Sequence, residues 1–292
     1  MALPGPEAGR PGLIPPVPLM TKTSTGPLVT FIIPVRHQDN ARDWALLKEN
    51  LSQTVASIAN QSNSDWQALI VANHGADLPE LPERFRVTYV DFSPNVLHEL
   101  NHSPSREDFL DAFRLDKGRR VLAGMLDAKD SRYFMIVDDD DFVHRGIVDF
   151  VASQAGANGW VIDHGYIWDH NGTIIMEHDD FNHVCGTCLI IRSDLYQLPE
   201  DFKAASQDWI KSRLGSHHRI TEILADAGTP LSTLPFRGAI YRVAHGGSHS
   251  KTPSLLRKYF LSFYAIRRPI LTVQNLFKIH RIKPNIRNTF FG

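Results

Sequence analysis

From residue 28 onward the apolar positions fall into two alternating rhythms. Residues 28–33 (Leu-Val-Thr-Phe-Ile-Ile) form a short unbroken apolar run, rich in β-branched and aromatic side chains and stopped by Pro34. A strand buried on both faces needs such a run. Trp44, Leu47, Leu51, Val55 and Ile58 then recur at three or four residues, which predicts a helix over 43–60 with that stripe buried. Residues 67–72 predict a second strand, followed by a turn at Asn73-His-Gly75, and residues 86–91 a third. A helix over 116–128 leads into a fourth strand at 133–137. Strands apolar throughout, alternating with helices, build a parallel sheet covered on both faces.

The rhythm changes in the second half. After a helix near 145–155 come short strands at 160–163, 166–168 and 173–176, with Asp169-His-Asn-Gly172 as a hairpin turn between the last two. Residues 188–192 predict another short strand, and a helix over 205–227 ends at Gly228. Late strands are expected at 233–236 and 239–243. Residues 1–26 are rich in Pro and Gly, lack periodicity and predict a disordered leader, whose prolines break any secretory apolar core. Beyond residue 250, Leu255, Leu256, Tyr259, Phe260, Phe263 and Ile266 recur at helical spacing, with Arg257, Lys258, Arg267 and Arg268 between them. A basic amphipathic helical tail over 251–292 follows.

Composition narrows the classes. The 292 residues, 42% hydrophobic and 22% charged, suit one large globular domain or two small ones and exclude coiled-coil and collagenous designs. Two cysteines exclude a disulfide framework and suit a reducing compartment, so a cytoplasmic protein is expected. No apolar run is long enough to span a bilayer. The net charge of -1 hides an asymmetry: residues 227–292 carry eleven Lys and Arg and no Asp or Glu. The tail therefore calls for an anionic partner. It is read either as peripheral contact with the inner face of a membrane or as packing on the acidic body of the chain.

Asp138-Asp-Asp-Asp141 directly follows the fourth strand. Adjacent carboxylates repel one another, and at the carboxyl end of a parallel strand they face the ligand crevice. A divalent cation relieves that repulsion, and oxygen ligands suit Mg²⁺ or Mn²⁺. A solvated acidic loop is the alternative, but a buried strand before the run and Phe142-Val143 after it favour the metal.

With those residues in place, the sequence resembles a family 2 glycosyltransferase of the GT-A fold. The resemblance rests on 29–35 (Val-Thr-Phe-Ile-Ile-Pro-Val), 69–73 (Leu-Ile-Val-Ala-Asn), Asp116-Lys-Gly118 with Ala128, Tyr133 through Val143, and 241–250 (Tyr-Arg-Val-Ala-His-Gly-Gly-Ser-His-Ser), in the family's order. It implies an α/β architecture: a Rossmann-like, mostly parallel central sheet flanked by helices, with a smaller mixed-sheet acceptor half. The halves would be a nucleotide-binding 27–143 and an acceptor-binding 144–250. It implies a metal-dependent, inverting transfer from a nucleotide-sugar donor, a UDP-sugar being favoured, to a glycan or lipid-linked acceptor, with no nucleic-acid partner. Asp138 and Asp140 match the metal motif, with Asp139 beside them and Asp141 trailing. Asp140 would ligate the metal, and Asp138 ribose or metal. Pro34, Val35 and Arg36 fall where the first strand meets the base. Asn73 takes the place of a common base-binding Asp, and Lys117, Gly118 and Arg119 match the segment packed along the nucleotide.

Inverting transfer needs a general base near the acceptor hydroxyl. Where relatives carry a Glu-Asp pair, this chain has His217-His218, with Asp208 and Glu222 nearby, and Asp180 with Asp179 offers an acidic alternative. The family often draws a further metal ligand from the region of His245 and His249, which flank Gly246-Gly-Ser248. Cys185-Gly-Thr-Cys188 has redox or half-zinc spacing, but the strand after it favours two small buried residues beside a pocket. A nucleotidyl- or phosphoryl-transferase using the same Asp cluster and a non-catalytic nucleotide-sugar-binding protein remain the alternatives.

Overall fold

The computed structural model describes residues 25–99, 103–244, 254–261 and 267–292. Two sheets organise it. The larger has seven strands: β1 (Val29–Pro34), β2 (Trp66–Asn73), β3 (Phe85–Val90), β4 (Tyr133–Ile136), β6 (Gly159–Val161), β9 (Leu189–Arg192) and β10 (Ser232–Thr233), in the order β10-β6-β9-β4-β1-β2-β3. β1 runs parallel to both β2 and β4, and β2 to β3. β9 is the antiparallel strand between β4 and β6. Helices α1 (Trp44–Ala59), α2 (Arg106–Asp127) and α3 (Ile147–Ser153) accompany the parallel part. This is the mixed α/β arrangement with a mostly parallel main sheet that a GT-A fold requires.

The chain chooses β1 as its centre for a simple reason. Val29, Phe31, Ile32 and Ile33 are fully buried, so this strand offers apolar side chains to both faces of the sheet. The stripe Leu47, Leu51, Val55 and Ile58 of α1 is buried as its spacing predicts, and Asp43 caps the helix by accepting from the Leu46 amide at 2.9 Å. α2 begins ten residues before the expected start. Its first turn, Arg106–Asp108, is exposed, and the helical spacing of Phe109, Leu110 and Phe113 escapes the sequence reading. The signal there is the cap: Ser105 accepts from the Asp108 amide at 3.1 Å, with Glu107 and Asp108 in the first turn.

The helix expected over 205–227 is two helices, α4 (Gln207–Arg213) and α5 (His217–Asp226). Gly215 makes the corner. A Cβ there would overlap the backbone carbonyl of Arg114 in α2, so only glycine allows the two backbones this close. Ser216 then caps α5. The break matters, because it sets His217 at the first turn of a helix facing the main sheet's carboxyl edge.

The smaller sheet contains β5 (Phe142–Val143), β7 (His164–Asp169), β8 (Ile174–Asp179), β11 (Ala239–Val243) and β12 (Ile279–Arg281), in the order β12-β8-β7-β11-β5. β7 and β8 are the expected hairpin, with Asn171 at φ 60° in its turn. The segment expected as one helical tail is different. It contains α6 (Leu255–Tyr259), α7 (Pro269–Phe277), β12 antiparallel to β8, and α8 (Pro284–Phe290). Ile286 and Phe290 of α8 are buried in a second core with Phe142, Trp168, Ile175 and Ile240. The Arg145 amide donates to the Thr289 carbonyl at 3.0 Å, and Asn60 Nδ2 to the Asn288 carbonyl at 2.9 Å. The strand pairing and this core tie the chain's last fifteen residues into the body. Phe263 and Ile266 lie outside the described residues, as does the leader up to residue 24.

Phe290→Ala should therefore destabilise the whole protein by about 3–5 kcal/mol, the usual cost of emptying a buried aromatic site. Urea unfolding followed by circular dichroism measures it. A loss within 0.5 kcal/mol, the range of neutral surface changes, would show that α8 is not part of the core.

Candidate functional site

The carboxyl ends of β1 and β4 open into a cleft of about 290 Å³. Pro34 lines it from the end of β1 and Arg36 from the loop after it, Ile136 and Asp138 through Asp140 from the end of β4, and Tyr241 from β11. α2 contributes one wall through Arg114, Lys117 and Arg120, spaced three residues apart and so on one helical face. The corner between α4 and α5 closes the far side with Gly215, Ser216 and His217.

The four consecutive aspartates occupy different environments. The Asp138 carboxylate pairs with Lys117, and its amide donates to Thr187 Oγ1 at 2.9 Å. A Cβ on Gly186 would stand 2.9 Å from both the Asp138 carboxylate and Lys117 Nζ, so this glycine leaves room for the pair. Burial disfavours the Lys117 ammonium, yet the charge and hydrogen bond of Asp138 outweigh it and hold the amine above its ordinary range. Asp141 faces the interior. It is fully buried and accepts from Thr187 Oγ1 at 2.6 Å, the Cys185 thiol at 3.1 Å and the Arg242 amide at 3.3 Å. Burial, with the charges of Asp140 and Asp138, pushes its carboxyl well up. Asp139 and Asp140 line the cleft.

Arg242 supports this run from below. It is fully buried, bonds Asn50, and lies 4.5 Å from the Phe142 ring centre and 5.4 Å from that of Trp168. Burial lowers its pKa, and the charges of Asp140 and Asp141 oppose that. The two cysteines are buried and unlinked, and burial raises both thiols. Cys185 serves as a hydrogen-bond donor to Asp141, which is the small-buried-residue reading of the Cys-Gly-Thr-Cys run.

Of the expected bases, His217 lines the cleft. Its Nε2 is buried and has no hydrogen-bond partner among the described residues, while the backbone of Asn182 engages the ring. Burial lowers its pKa to about 3, and the nearby His218, Lys117 and His183 push the same way. The ring is neutral at pH 7. The His218 ring centre lies 4.0 Å from that of His217 and 5.4 Å from that of His183, on the exposed side. Asp180 is exposed with φ 58° and is not among the cleft walls. Asp179 is committed to Lys278 at 2.8 Å, His164 at 3.0 Å and Arg237 at 3.5 Å; chiefly through the Lys278 bond, its carboxyl falls to about 2. Asp208 pairs with Lys211 on the surface, and Glu222 is exposed.

The remaining expected donor contacts divide. Val35 is fully buried, its amide donating to the Val71 carbonyl at 2.9 Å. Asn73 reaches the cleft only through Arg120: its Oδ1 accepts from Arg120 Nη1 at 2.7 Å, and its Nδ2 donates to the Phe92 carbonyl at 2.7 Å. Gly118 is needed for helix packing, since a Cβ would meet Ile210 at 2.7 Å. Arg119 bonds Asp116 and the Ser93 carbonyl and stacks over Phe92 at 4.4 Å. His245 and His249 lie outside the described residues. The sequence reading missed Arg114, Arg120 and Tyr241. For the arginines a signal existed: they stand three residues either side of Lys117 on a helix.

Among the described residues no three His, Cys, Asp or Glu side chains converge into a closed metal cage. Asp138, Asp139 and Asp140 line the cleft, with Asp138 paired to Lys117; Mg²⁺ is commonly held by one or two carboxylates when phosphates and water complete its shell.

No family model matches this chain, and neither does any curated protein. Solved structures do. A chain of S. aureus TarS covering residues 1–349, in complex with UDP, is 12% identical with a TM-score of 0.41; the match covers 74% of this chain and 60% of that one. A longer S. aureus TarS structure is 11% identical with a TM-score of 0.39, covering 74% and 36%. Rv0371C of Mycobacterium tuberculosis, a complex with manganese, is 8% identical with a TM-score of 0.31, covering 75% and 91%. The chain thus spans about three fifths of the shorter TarS chain. At these identities and scores the likeness decides nothing about chemistry.

The depressed pKa of His217 has a measurable consequence. Unfolded, the ring takes a proton near pH 6.5; folded, it resists until about pH 3. Stability is therefore complete above the unfolded value and lost as pH falls through that window, by at most about 1.4 kcal/mol per pH unit. His217→Gln should flatten that slope by the same amount in urea unfolding between pH 7 and pH 4. Parallel slopes for the two proteins would place His217 in solvent.

Proposed function

We propose that this protein is a metal-dependent, inverting glycosyltransferase that moves a sugar from a nucleoside-diphosphate donor to an acceptor hydroxyl. The observation that carries the reading is one cleft that gathers an aspartate pair at the end of a parallel strand, a cationic helix face opposite, and a neutral imidazole on the third side. A diphosphate needs the first two, and a hydroxyl nucleophile needs the third. A UDP-sugar donor and a glycan or lipid-linked acceptor are the substrates of this reading, and the cytoplasm its compartment.

Arg114, Lys117 and Arg120 supply positive charge along the path of the diphosphate, Lys117 exchanging part of its bond to Asp138 for phosphate oxygens. Arg36 closes the same path from the loop after β1. Asp138 and Asp140 would hold Mn²⁺ or Mg²⁺ in the cleft they line. Bound there, the ion would supply charge neutralisation for the leaving nucleoside diphosphate. The acceptor oxygen bonds to the anomeric carbon as the bond from that carbon to the diphosphate oxygen breaks, and the hydroxyl proton passes to His217 Nε2. Burial, with the nearby His218 and Lys117, makes that nitrogen a weak base in the free protein. Asp141 and Arg242 take no part in the transfer; they fix the strand end from which Asp138 and Asp140 project.

A donor panel with Mn²⁺ and product analysis tests the reading. Release of intact nucleoside diphosphate is expected, and release of monophosphate or pyrophosphate would point instead to a nucleotidyl- or phosphoryl-transferase. No turnover with any donor, despite binding, would make the protein a carrier or sensor of such ligands.

Two variants test the roles. Asp140→Asn should lower turnover by roughly a hundredfold or more and weaken donor binding in Mn²⁺ but not in its absence. His217→Ala should lower kcat by about 10²–10⁴ with donor Kd nearly unchanged, whereas His218→Ala should leave kcat within a few-fold. If His217→Ala keeps full turnover, the base lies elsewhere.

A further inference from the structure

Two helices each bring an arginine to the far corner of the cleft. α4 packs along α2: Lys211 pairs with Asp111 at 3.1 Å, Ile210 fits where Gly118 has no Cβ, and Gly215 lies against the Arg114 backbone. That packing places Arg114 of α2 and Arg213 at the end of α4 in the cleft wall, together with Gly215, Ser216 and His217.

Two other cations of the cleft face carboxylates: Lys117 pairs with Asp138, and Arg120 with Asp116 at 3.4 Å. The corner arginines do not. Arg114 has no hydrogen-bond or ion-pair partner among the described residues. Arg213 donates only to neutral oxygens, the Tyr196 carbonyl at 3.3 Å and Gln197 Oε1 at 3.1 Å. Both side chains are half-buried. The carboxylates around them are engaged elsewhere, Asp116 with Arg119 and Arg120, and Asp111 and Asp208 with Lys211, while Glu222 is exposed on α5. Taking a guanidinium partly out of water without a counter-charge is unfavourable, and two in one wall repel each other. An anion bound by both removes both penalties. The guanidinium fork matches the paired oxygens of a phosphate or a carboxylate.

We propose that this corner is a second anion subsite, in which Arg114 and Arg213 hold a phosphate or carboxylate group of the acceptor, so that the protein acts on hydroxyl compounds carrying such a charge. This rests on the glycosyl-transfer reading and names the acceptor class it leaves open. Arg114 ends the cationic row of α2 and is shared between the path of the diphosphate and the corner. Arg213, on another helix, belongs to the corner alone. His217 lines the same cleft two residues after Gly215, so an acceptor anchored through its anionic group presents its hydroxyl on the side of the imidazole. A neutral sugar offers nothing to either guanidinium, which makes the corner a filter for charge as well as an anchor.

Calorimetric titration of the full-length protein, saturated with UDP and Mn²⁺, tests it with glucose, glucose 6-phosphate and glucuronate as probes. At least one charged probe should bind about tenfold or more tighter than glucose, and the tighter of the two tells phosphate from carboxylate. Arg213→Gln should remove that preference without weakening UDP, and Arg213→Lys should keep part of it. Arg114→Gln breaks no bond of the fold, so it should reduce the preference with the thermal melt unchanged. Three results would overturn the proposal: equal binding of charged and neutral probes, a preference that survives in both glutamine variants, or an Arg213→Gln protein that loses UDP affinity as much as affinity for the charged probe. The last would place the guanidinium on the donor. If UDP does not bind in Mn²⁺, the transfer reading fails instead, and the same titrations on the free protein decide the subsite by themselves.

Discussion

Repulsion among four consecutive carboxylates at the end of a buried strand is the constraint on which the cleft depends. The run folds as a turn, the Asp141 amide donating to the Asp138 carbonyl at 3.2 Å, so it cannot send all four side chains to one place. Lys117 pairs with Asp138 from α2, and Arg242 lies under Asp140 and Asp141 from β11. Thr187 bridges the ends, accepting from the Asp138 amide and donating to the Asp141 carboxylate. These partners come from three separate parts of the chain, so the Asp run fastens the main sheet, the smaller sheet and helix α2 at one point.

The same constraint shapes the walls. α2 can bring Lys117 to Asp138 only if its neighbours let it approach, and two close contacts are made at glycines: Gly118 against Ile210 and Gly215 against the Arg114 carbonyl. The second of these breaks what would otherwise be one long helix. The break carries His217 into the cleft beside Lys117, where burial and neighbouring cations keep the imidazole neutral. Packing requirements and site chemistry are thus met by the same residues.

The second sheet depends on the chain's C-terminal segment. β12 extends the sheet beyond β8, and Ile286 and Phe290 complete the core that holds Phe142 immediately after Asp141. Arg242, stacked on Phe142 and Trp168, belongs to the same group. The basic segment is therefore structural at its end, while α7 turns apolar side chains to solvent.

Sequence alone determined the main sheet and the identity of the acidic run. Strands that are apolar throughout have one stable environment, and four adjacent aspartates after such a strand have few uses. The short strands and the hairpin at Asn171 were legible for the same reason, since period and turn chemistry are local. Tertiary structure decided the rest. Which aspartate faces the cleft depends on Thr187, Cys185 and Arg242, all more than forty residues away. The helix break at Gly215 depends on the Arg114 backbone, and the choice of His217 over His218 depends on that break. Asn73 meets the cleft only through Arg120. The outward turn of α7's apolar face is invisible to a periodicity argument, since spacing does not say which way a face turns. Local pattern fixes what each segment prefers; only long-range contacts fix which preference is met at the site.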